Sequence, residues 1–343
     1  MICTDAPRFD YPEDDYEDIE VPGARGKQRG ASSRAYSRKL AAGSVSGPRG
    51  TSSSPRLEGD VIAAYGRHFL VSPGDGQAPL EALAVGRRLD CVVGDRVLYR
   101  LADSGPSAVE SVLPRRNRVM RSDHFRQKTI AANVDQAAVL ISGYPFFDEA
   151  VLLRVLLGLS AEEIPVLLLL TKQDLKHSFD QAMERASVYE TLGYPVIPTA
   201  ARNAPASLDA LRVRLTGKRT ILLGQSGMGK STLLNALIPS ADQQTQAISD
   251  ALASGRHTTT FSRAFTLPDG PGWLIDSPGF QQFELAHLSH WQICHAMPEF
   301  RPLLGRCRFN DCQHQDEPGC AIREAAESGQ IDPRRYELFR ELR

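Results

Sequence analysis

Residues 224–231 read Gly224, Gln225, Ser226, Gly227, Met228, Gly229, Lys230 and Ser231, the spacing G-x-x-x-x-G-K-S/T. Glycines at these positions let backbone N–H groups wrap phosphate oxygens, and the helix that follows turns its positive end toward them. In this pattern Lys230 reaches the β and γ oxygens, and the Ser231 hydroxyl, followed by Thr232, faces magnesium. A nucleoside triphosphate is the expected ligand.

Two further motifs select the base and the metal. Asp276-Ser277-Pro278-Gly279 has the D-x-x-G form, in which the aspartate holds magnesium through water and Gly279 senses the γ-phosphate. Thr171-Lys172-Gln173-Asp174 resembles N-K-x-D, with Thr171 in place of the usual asparagine. There Asp174 accepts two hydrogens from the guanine edge while the Lys172 stem covers the base. Thr199-Ala200 occupies the place of the backbone guanine contact. A kinase is disfavoured because no acceptor-pocket motif accompanies the loop. The order is unusual, since the guanine motif precedes the phosphate loop and D-x-x-G. A circular permutation that keeps each motif at a strand end on the binding edge explains this order.

A third set lies near the C-terminus, where Cys307, Cys312, His314 and Cys320 place three thiols and an imidazole within one short segment. Four S and N ligands close a tetrahedron around zinc and leave no position open for catalysis, so one structural Zn²⁺ is expected. Asn310, Asp311, Pro318 and Gly319 supply the tight turns of such a knuckle.

The elements that must carry these residues follow from hydrophobic pattern. Apolar runs at 135–142, 165–170, 220–223 and 273–275, with helical stretches at 149–159 and 231–237, predict an α/β domain with a mainly parallel sheet. Upstream, short strands at 60–64, 67–71, 82–85 and 95–101 between turn residues predict a small five-stranded barrel, of OB or SH3-like type. The arginines after it, 115, 116, 118 and 121, read as a basic hinge and a solvated linker. Beyond residue 281 the pattern is helical, ending in a helix over 332–343. The fold class expected is multidomain α/β: an OB-type barrel over 57–115, a permuted P-loop domain over 116–285 and a helical zinc-knuckle domain over 286–343.

Residues 1–56 stand apart. An acidic run over 5–20 is followed by Arg25, Lys27, Arg29, Arg34, Arg38, Lys39, Arg49 and Arg56 among Gly, Ser and Pro, with no acid from 21 to 56. Such a composition cannot offset ordering entropy by burial. It serves either as a solvated tail or as an arm that neutralises RNA phosphates. The formal net charge of the whole chain, −1, hides this asymmetry. No run of about 18 apolar residues is present, so no membrane span and a cytoplasmic location are expected.

By motif order the chain from about residue 57 resembles the circularly permuted GTPases of small-ribosomal-subunit biogenesis, the RsgA family. The resemblance includes Ala131-Ala132-Asn133-Val134-Asp135, Gly255-Arg256-His257-Thr258-Thr259 and the cysteine knuckle. It implies binding of the small subunit and its rRNA late in maturation, with GTP and Mg²⁺ bound and hydrolysis to GDP driving release. A monomer fits such a particle-binding factor. Phe280 stands where many GTPases carry a water-orienting glutamine, so His257 in the first switch is the candidate catalytic residue. Thr259, beside Thr258, is the candidate magnesium contact with Ser231. The competing reading is a GTP-binding RNA chaperone whose hydrolysis is incidental.

Overall fold

The structure is a computed structural model that describes residues 54–74, 76–86, 89–123, 126–241, 262–277, 283 and 285–342. The basic arm before residue 54, the first switch with His257, Thr258 and Thr259, and Gly279 with Phe280 lie outside the described residues.

Five strands form the first layer: β1 (Leu57–Tyr65), β2 (His68–Ser72), β3 (Leu80–Ala84), β4 (Arg96–Arg100) and β5 (Ser107–Val112). They pair in the order β1-β2-β3-β5-β4, and β4 returns to β1 through Leu57↔Tyr99 to Asp60↔Arg96, which closes the barrel. The parallel β3–β5 pair and the closure make this an OB-type barrel and decide between the two barrels the strand pattern allows. Alternate residues face inward, so Val61, Phe69, Val71, Val97, Tyr99 and Val109 form a core of the barrel's own. The fifth strand, β5, is not separable from turn residues by pattern alone.

The hinge is not a solvated linker. Arg115 pairs with the fully buried Asp95 through Nε at 2.7 Å and Nη2 at 2.8 Å, and Asp95 also accepts from the Val92 N–H. A buried carboxylate needs this full set of partners, and its hydrogen bond with the guanidinium raises the Arg115 pKa further. Arg116 reaches Asp135 at 2.6 Å, and Arg118 reaches Glu162 at 3.3 Å. The chain then forms a hairpin, β6 (Arg118–Asp123) with β7 (Arg126–Ala132). These arginines are therefore mostly spent on joining the barrel to the α/β domain.

The entry to that domain explains the Ala131–Asp135 motif. Asn133 adopts φ +53°, its side chain accepts from the Arg116 N–H and donates to the Gly94 carbonyl, and Asp135 accepts from the Arg219 N–H at 2.7 Å. A Cβ at Gly94 would stand 2.0 Å from the Ala132 carbonyl oxygen, so only glycine permits this close approach.

Beyond it lie β8 (Gln136–Ser142), α1 (Glu149–Ala161), β9 (Val166–Thr171), α2 (Lys176–Thr191), β10 (Val196–Pro198), α3 (Asp209–Leu215), β11 (Arg219–Gly224), α4 (Lys230–Leu237), β12 (Arg263–Thr266) and β13 (Trp273–Asp276). Strands β8 and β9 are buried along their whole length, as expected of parallel strands covered on both faces. The order is β10-β9-β8-β11-β13-β12, parallel except for β12. From β8 the chain adds β9 and β10 on one side, and from β11 it adds β13 and β12 on the other, so the reversal falls between β8 and β11. A ligand crevice opens at such a point, outside the C-terminal strand ends. Barrel and sheet are continuous, because β1 pairs with β12 at Ala63↔Arg263 and the Arg219 guanidinium pairs with Asp60 at 2.7 Å.

The last helices are α5 (His290–Ala296), α6 (Ala321–Glu327) and α7 (Pro333–Arg340). Local chemistry starts each of them: a Ser289–Gln292 capping box, the Cys320 Sγ accepting from the Arg323 N–H, and Asp332 before Pro333. They share a core with the parallel sheet, and α5 packs on α1. At that seam Arg335, 1% exposed, pairs with Glu299 at 2.8 Å and lies 5.2 Å over the Tyr189 ring of α2.

Candidate functional site

Three strand ends meet at the crevice. Strand β11 ends at Gly224 and leads into the phosphate loop, where Gly227 and Gly229 take φ of +79° and +90°, a left-handed region costly for any residue with a Cβ. Gly229 caps α4, whose first turn carries Lys230, Ser231 and Thr232. The side chain of Gln225 accepts from the Asp148 N–H at 3.4 Å, the buried Met228 anchors the loop, and Ser226 and Gly227 stand exposed at its tip. Strand β13 ends at Asp276, whose carboxylate lies 2.6 Å from Lys230 Nζ. Lys230 also donates to the Ser277 carbonyl, and the Ser277 hydroxyl donates to Leu222 at 2.6 Å. The lysine of the loop and the aspartate of D-x-x-G thus face each other across two neighbouring strand ends.

Strand β9 ends at Thr171. Its hydroxyl lies 2.8 Å from the Met228 carbonyl and 3.2 Å from that of Ile141, and the single proton can be donated to either. The threonine that replaces asparagine therefore fastens the guanine motif to the phosphate loop. Lys172 takes φ +60° and its ammonium donates to the Tyr144 carbonyl at 2.6 Å. The Gln173 N–H donates to the Thr199 carbonyl, and Thr199 donates its own N–H to Leu170, so Thr199 and Ala200 lie directly beside the guanine motif. Asp174 is exposed, with one carboxylate oxygen accepting from Asn203 Nδ2 at 3.0 Å.

Asn203 and Tyr144 are not legible in the sequence. Neither belongs to a spacing pattern; each is recruited by a turn that only the folded chain brings back to the strand ends. In the sequence Ser277 is no more than the second letter of D-x-x-G, although it is buried and ties that loop to β11.

The cysteine segment forms a separate cluster. The ligand atoms of Cys307, Cys312, His314 and Cys320 lie within 4.8 Å of one another. His314 Nδ1 is 3.5 Å from Cys307 Sγ and 3.6 Å from Cys320 Sγ. A tetrahedral zinc with bonds of about 2.3 Å to sulfur and 2.0 Å to nitrogen spaces S and N by about 3.5 Å, so these residues fit the ion. Burial pushes the Cys312 and Cys320 thiols up, and a cation at bonding distance is what would hold both as thiolates at neutral pH. The chain bends to make the set: His314 takes φ +59°, the Tyr336 hydroxyl lies within hydrogen-bond distance of the carbonyls of His314 and Gln315, and Glu317 accepts from the Gln313 and Gln315 N–H groups. The bond from the Gln313 N–H leads the causes that hold the Glu317 carboxyl down at about 2. His290 and Cys294, one helical turn apart on α5, approach the same His314 from outside the knuckle.

A phosphate loop, a guanine motif and a D-x-x-G aspartate on adjacent ends of a parallel sheet, in permuted order and joined to a barrel and a cysteine knuckle, define the class: a circularly permuted P-loop GTPase. Comparison with known proteins agrees. The sequence profile of the RsgA GTPase family matches residues 112–286. The small ribosomal subunit biogenesis GTPase RsgA of Burkholderia pseudomallei strain K96243 is 47% identical over 288 residues, covering 84% of this chain and 91% of that protein. Its counterpart in Paraburkholderia phytofirmans is 47% identical over 295 residues, covering 84% and 93%. Among solved structures, YjeQ from Thermotoga maritima superposes with a TM-score of 0.67 at 28% identity, covering 84% of this chain and 99% of that one. YloQ, a circularly permuted GTPase, gives 0.62 at 26% identity, covering 84% and 93%. The chain belongs to the RsgA GTPase family. No helix among its described residues is long and apolar enough to cross a membrane.

Proposed function

We propose that this GTPase acts in the cytoplasm, as a monomer, on the maturing small ribosomal subunit: it binds the subunit and its rRNA with GTP and leaves after hydrolysis. Relatives 47% identical to it are named small ribosomal subunit biogenesis GTPases, which supports this reading. The observation that carries the guanine-switch reading is the Thr171–Met228 bond, which couples base and phosphate motifs into one rigid edge.

Asp174 accepts from the guanine edge, held by Asn203, while the Lys172 stem lies along the base and the Thr199–Ala200 backbone completes the base pocket. The loop from Gly224 to Ser231, with Thr232, cradles the phosphates through its N–H groups, and Lys230 leaves Asp276 for phosphate oxygens. Ser231, Asp276 and one of Thr258 and Thr259 are the residues that would hold Mg²⁺, with Gly279 sensing the γ-phosphate. Magnesium supplies positive charge against the oxygens of the transferred group. His257 orients the attacking water, because Phe280 can neither accept from water nor donate to phosphate. Cys307, Cys312, His314 and Cys320 hold a structural Zn²⁺ that takes no part in hydrolysis. The chain divides into a 1–56 arm, a 57–115 barrel, a 116–285 GTPase domain and a 286–343 zinc domain, and the arm is either a solvated tail or a phosphate-neutralising segment.

Two measurements test this. Purified small subunits should bind more tightly to the GTP-loaded than to the GDP-loaded protein and should stimulate turnover strongly; equal affinity in both states returns the incidental-hydrolysis chaperone. His257→Ala should keep GTP affinity and lose about 10²-fold of the stimulated rate in stopped-flow hydrolysis. Turnover at the parent rate removes His257 from catalysis.

A further inference from the structure

On the side of the sheet away from the nucleotide edge, a groove of about 790 Å³ runs between the strand beginnings and α5. Its rim carries Trp291, 66% exposed, with the His295 ring stacked on it at 4.9 Å and 18°. The two rings sit one helical turn apart on α5, so the helix presents them as one two-layer plane. A tryptophan left in water on a stacked imidazole keeps its other π-face open to a ligand.

The charge around it has the same character. Arg214, Lys218 and Arg301 line the groove, against a single acid, Glu163. Elsewhere in the fold most arginines meet carboxylates, as Arg115, Arg116, Arg185, Arg219 and Arg335 do. The groove cations differ, for among the described residues they meet no carboxylate: Arg301 donates to the His295 carbonyl and Ser160, and Lys218 to Gln136, all neutral acceptors. The bond to the His295 carbonyl also fastens the Arg301 guanidinium to the end of α5 that carries the stack. An aromatic plane beside such cations in a cleft of this size matches a single-stranded nucleotide, with base on ring and phosphate on guanidinium.

We infer that Trp291 and His295, flanked by Arg214, Lys218 and Arg301, form a stacking platform for an unpaired RNA base. It rests on the ribosomal reading for the identity of the RNA and not for its chemistry, and it is separate from the nucleotide edge.

The test uses the full chain saturated with GDP, so that the nucleotide edge is occupied. The protein has two tryptophans, and the other, Trp273, is half-buried beneath the Arg219 guanidinium. Titration with an octamer of adenosine nucleotides should quench Trp291 emission, and the quench should vanish in Trp291→Ala. Three cations on phosphates predict a slope of log K against log salt of about −2, and Arg214→Gln should reduce it by about 0.7. On purified small subunits Trp291→Ala should weaken binding about tenfold while Trp291→Phe retains most of it, since stacking needs a ring and not an indole. Intrinsic GTP turnover should not change in either variant. A parent protein unquenched by the oligomer overturns the inference, and if Trp291→Ala then still loses subunit affinity, the rings meet a ribosomal protein. Parent and Trp291→Ala binding subunits equally also overturns it. If the parent binds no subunits at all, the ribosomal reading fails and the oligomer titration alone decides the platform.

Discussion

The cysteine knuckle and the nucleotide edge both gather side chains from loops, yet they are built on opposite plans. The knuckle takes all four ligands from residues 307–320 and bends the backbone until they meet, with His314 in the left-handed region and Glu317 tying the turn. Its supports are local, with Cys320 capping α6 and the Tyr336 hydroxyl of α7 on the His314 carbonyl, and a bound cation would add the free energy that draws the four ligands together. The nucleotide edge draws on residues more than a hundred positions apart, and each loop inherits its place from the end of a buried strand. One site is built to be fastened by a ligand, the other is fastened by the sheet. Metal loss should therefore damage structure, whereas changes at the edge should damage affinity.

The largest effect expected is on the metal side. Cys312→Ala should lower zinc content from one per chain to none and open residues 286–343 to proteolysis, since structural zinc contributes about 10–16 kcal/mol in isolated fingers. GTP affinity should stay near the parent value. Because α5 packs on α1 within a shared core, a parallel fall in GTP binding would show that the two plans are not separable. Next in size, Asp174→Asn should cost about 2–4 kcal/mol of GTP binding and relax discrimination against ATP, because it sets a donor against guanine donors. Equal competition by ATP in the parent would break the guanine reading. Smallest, Thr171→Val keeps the side-chain shape and removes one hydroxyl proton, so GTP binding should weaken by about 1–2 kcal/mol with little change in thermal midpoint. An unaltered GTP affinity, read by calorimetry, would mean that the sheet alone sets the loop spacing.

Legibility divides along the same line. Buried parallel strands announce themselves by continuous apolar runs such as Val166–Thr171, and the fold class is readable from them, as is the family from the order of motifs. The knuckle is readable because its residues are neighbours in sequence. The features that stay hidden depend on tertiary placement. The partners of the 115–118 arginines lie as far off as Glu162, so basic residues that look solvated turn out to be internal ties. Strand β12, only four residues long, is too short for its pattern to be read; β13 on one side and β1 on the other make it a strand. Asn203 is visible only once the turn after β10 folds back on Asp174.

The pairing of Ala63 with Arg263 bears on how the chain is made. Strand β1 divides its outer edge: Leu57 to Asp60 meet β4, and Ala63 meets β12. A ribosome synthesising this protein releases the whole barrel early, and because β4 closes on Leu57 to Asp60 the barrel can form before the rest of the chain emerges. The stretch of β1 around Ala63 then waits with an open edge until about three quarters of the chain has emerged. Open edges recruit other strands. Nascent chains stalled before Arg263 thus carry a folded barrel with one adhesive seam, and completion of β12 is the event that seals it.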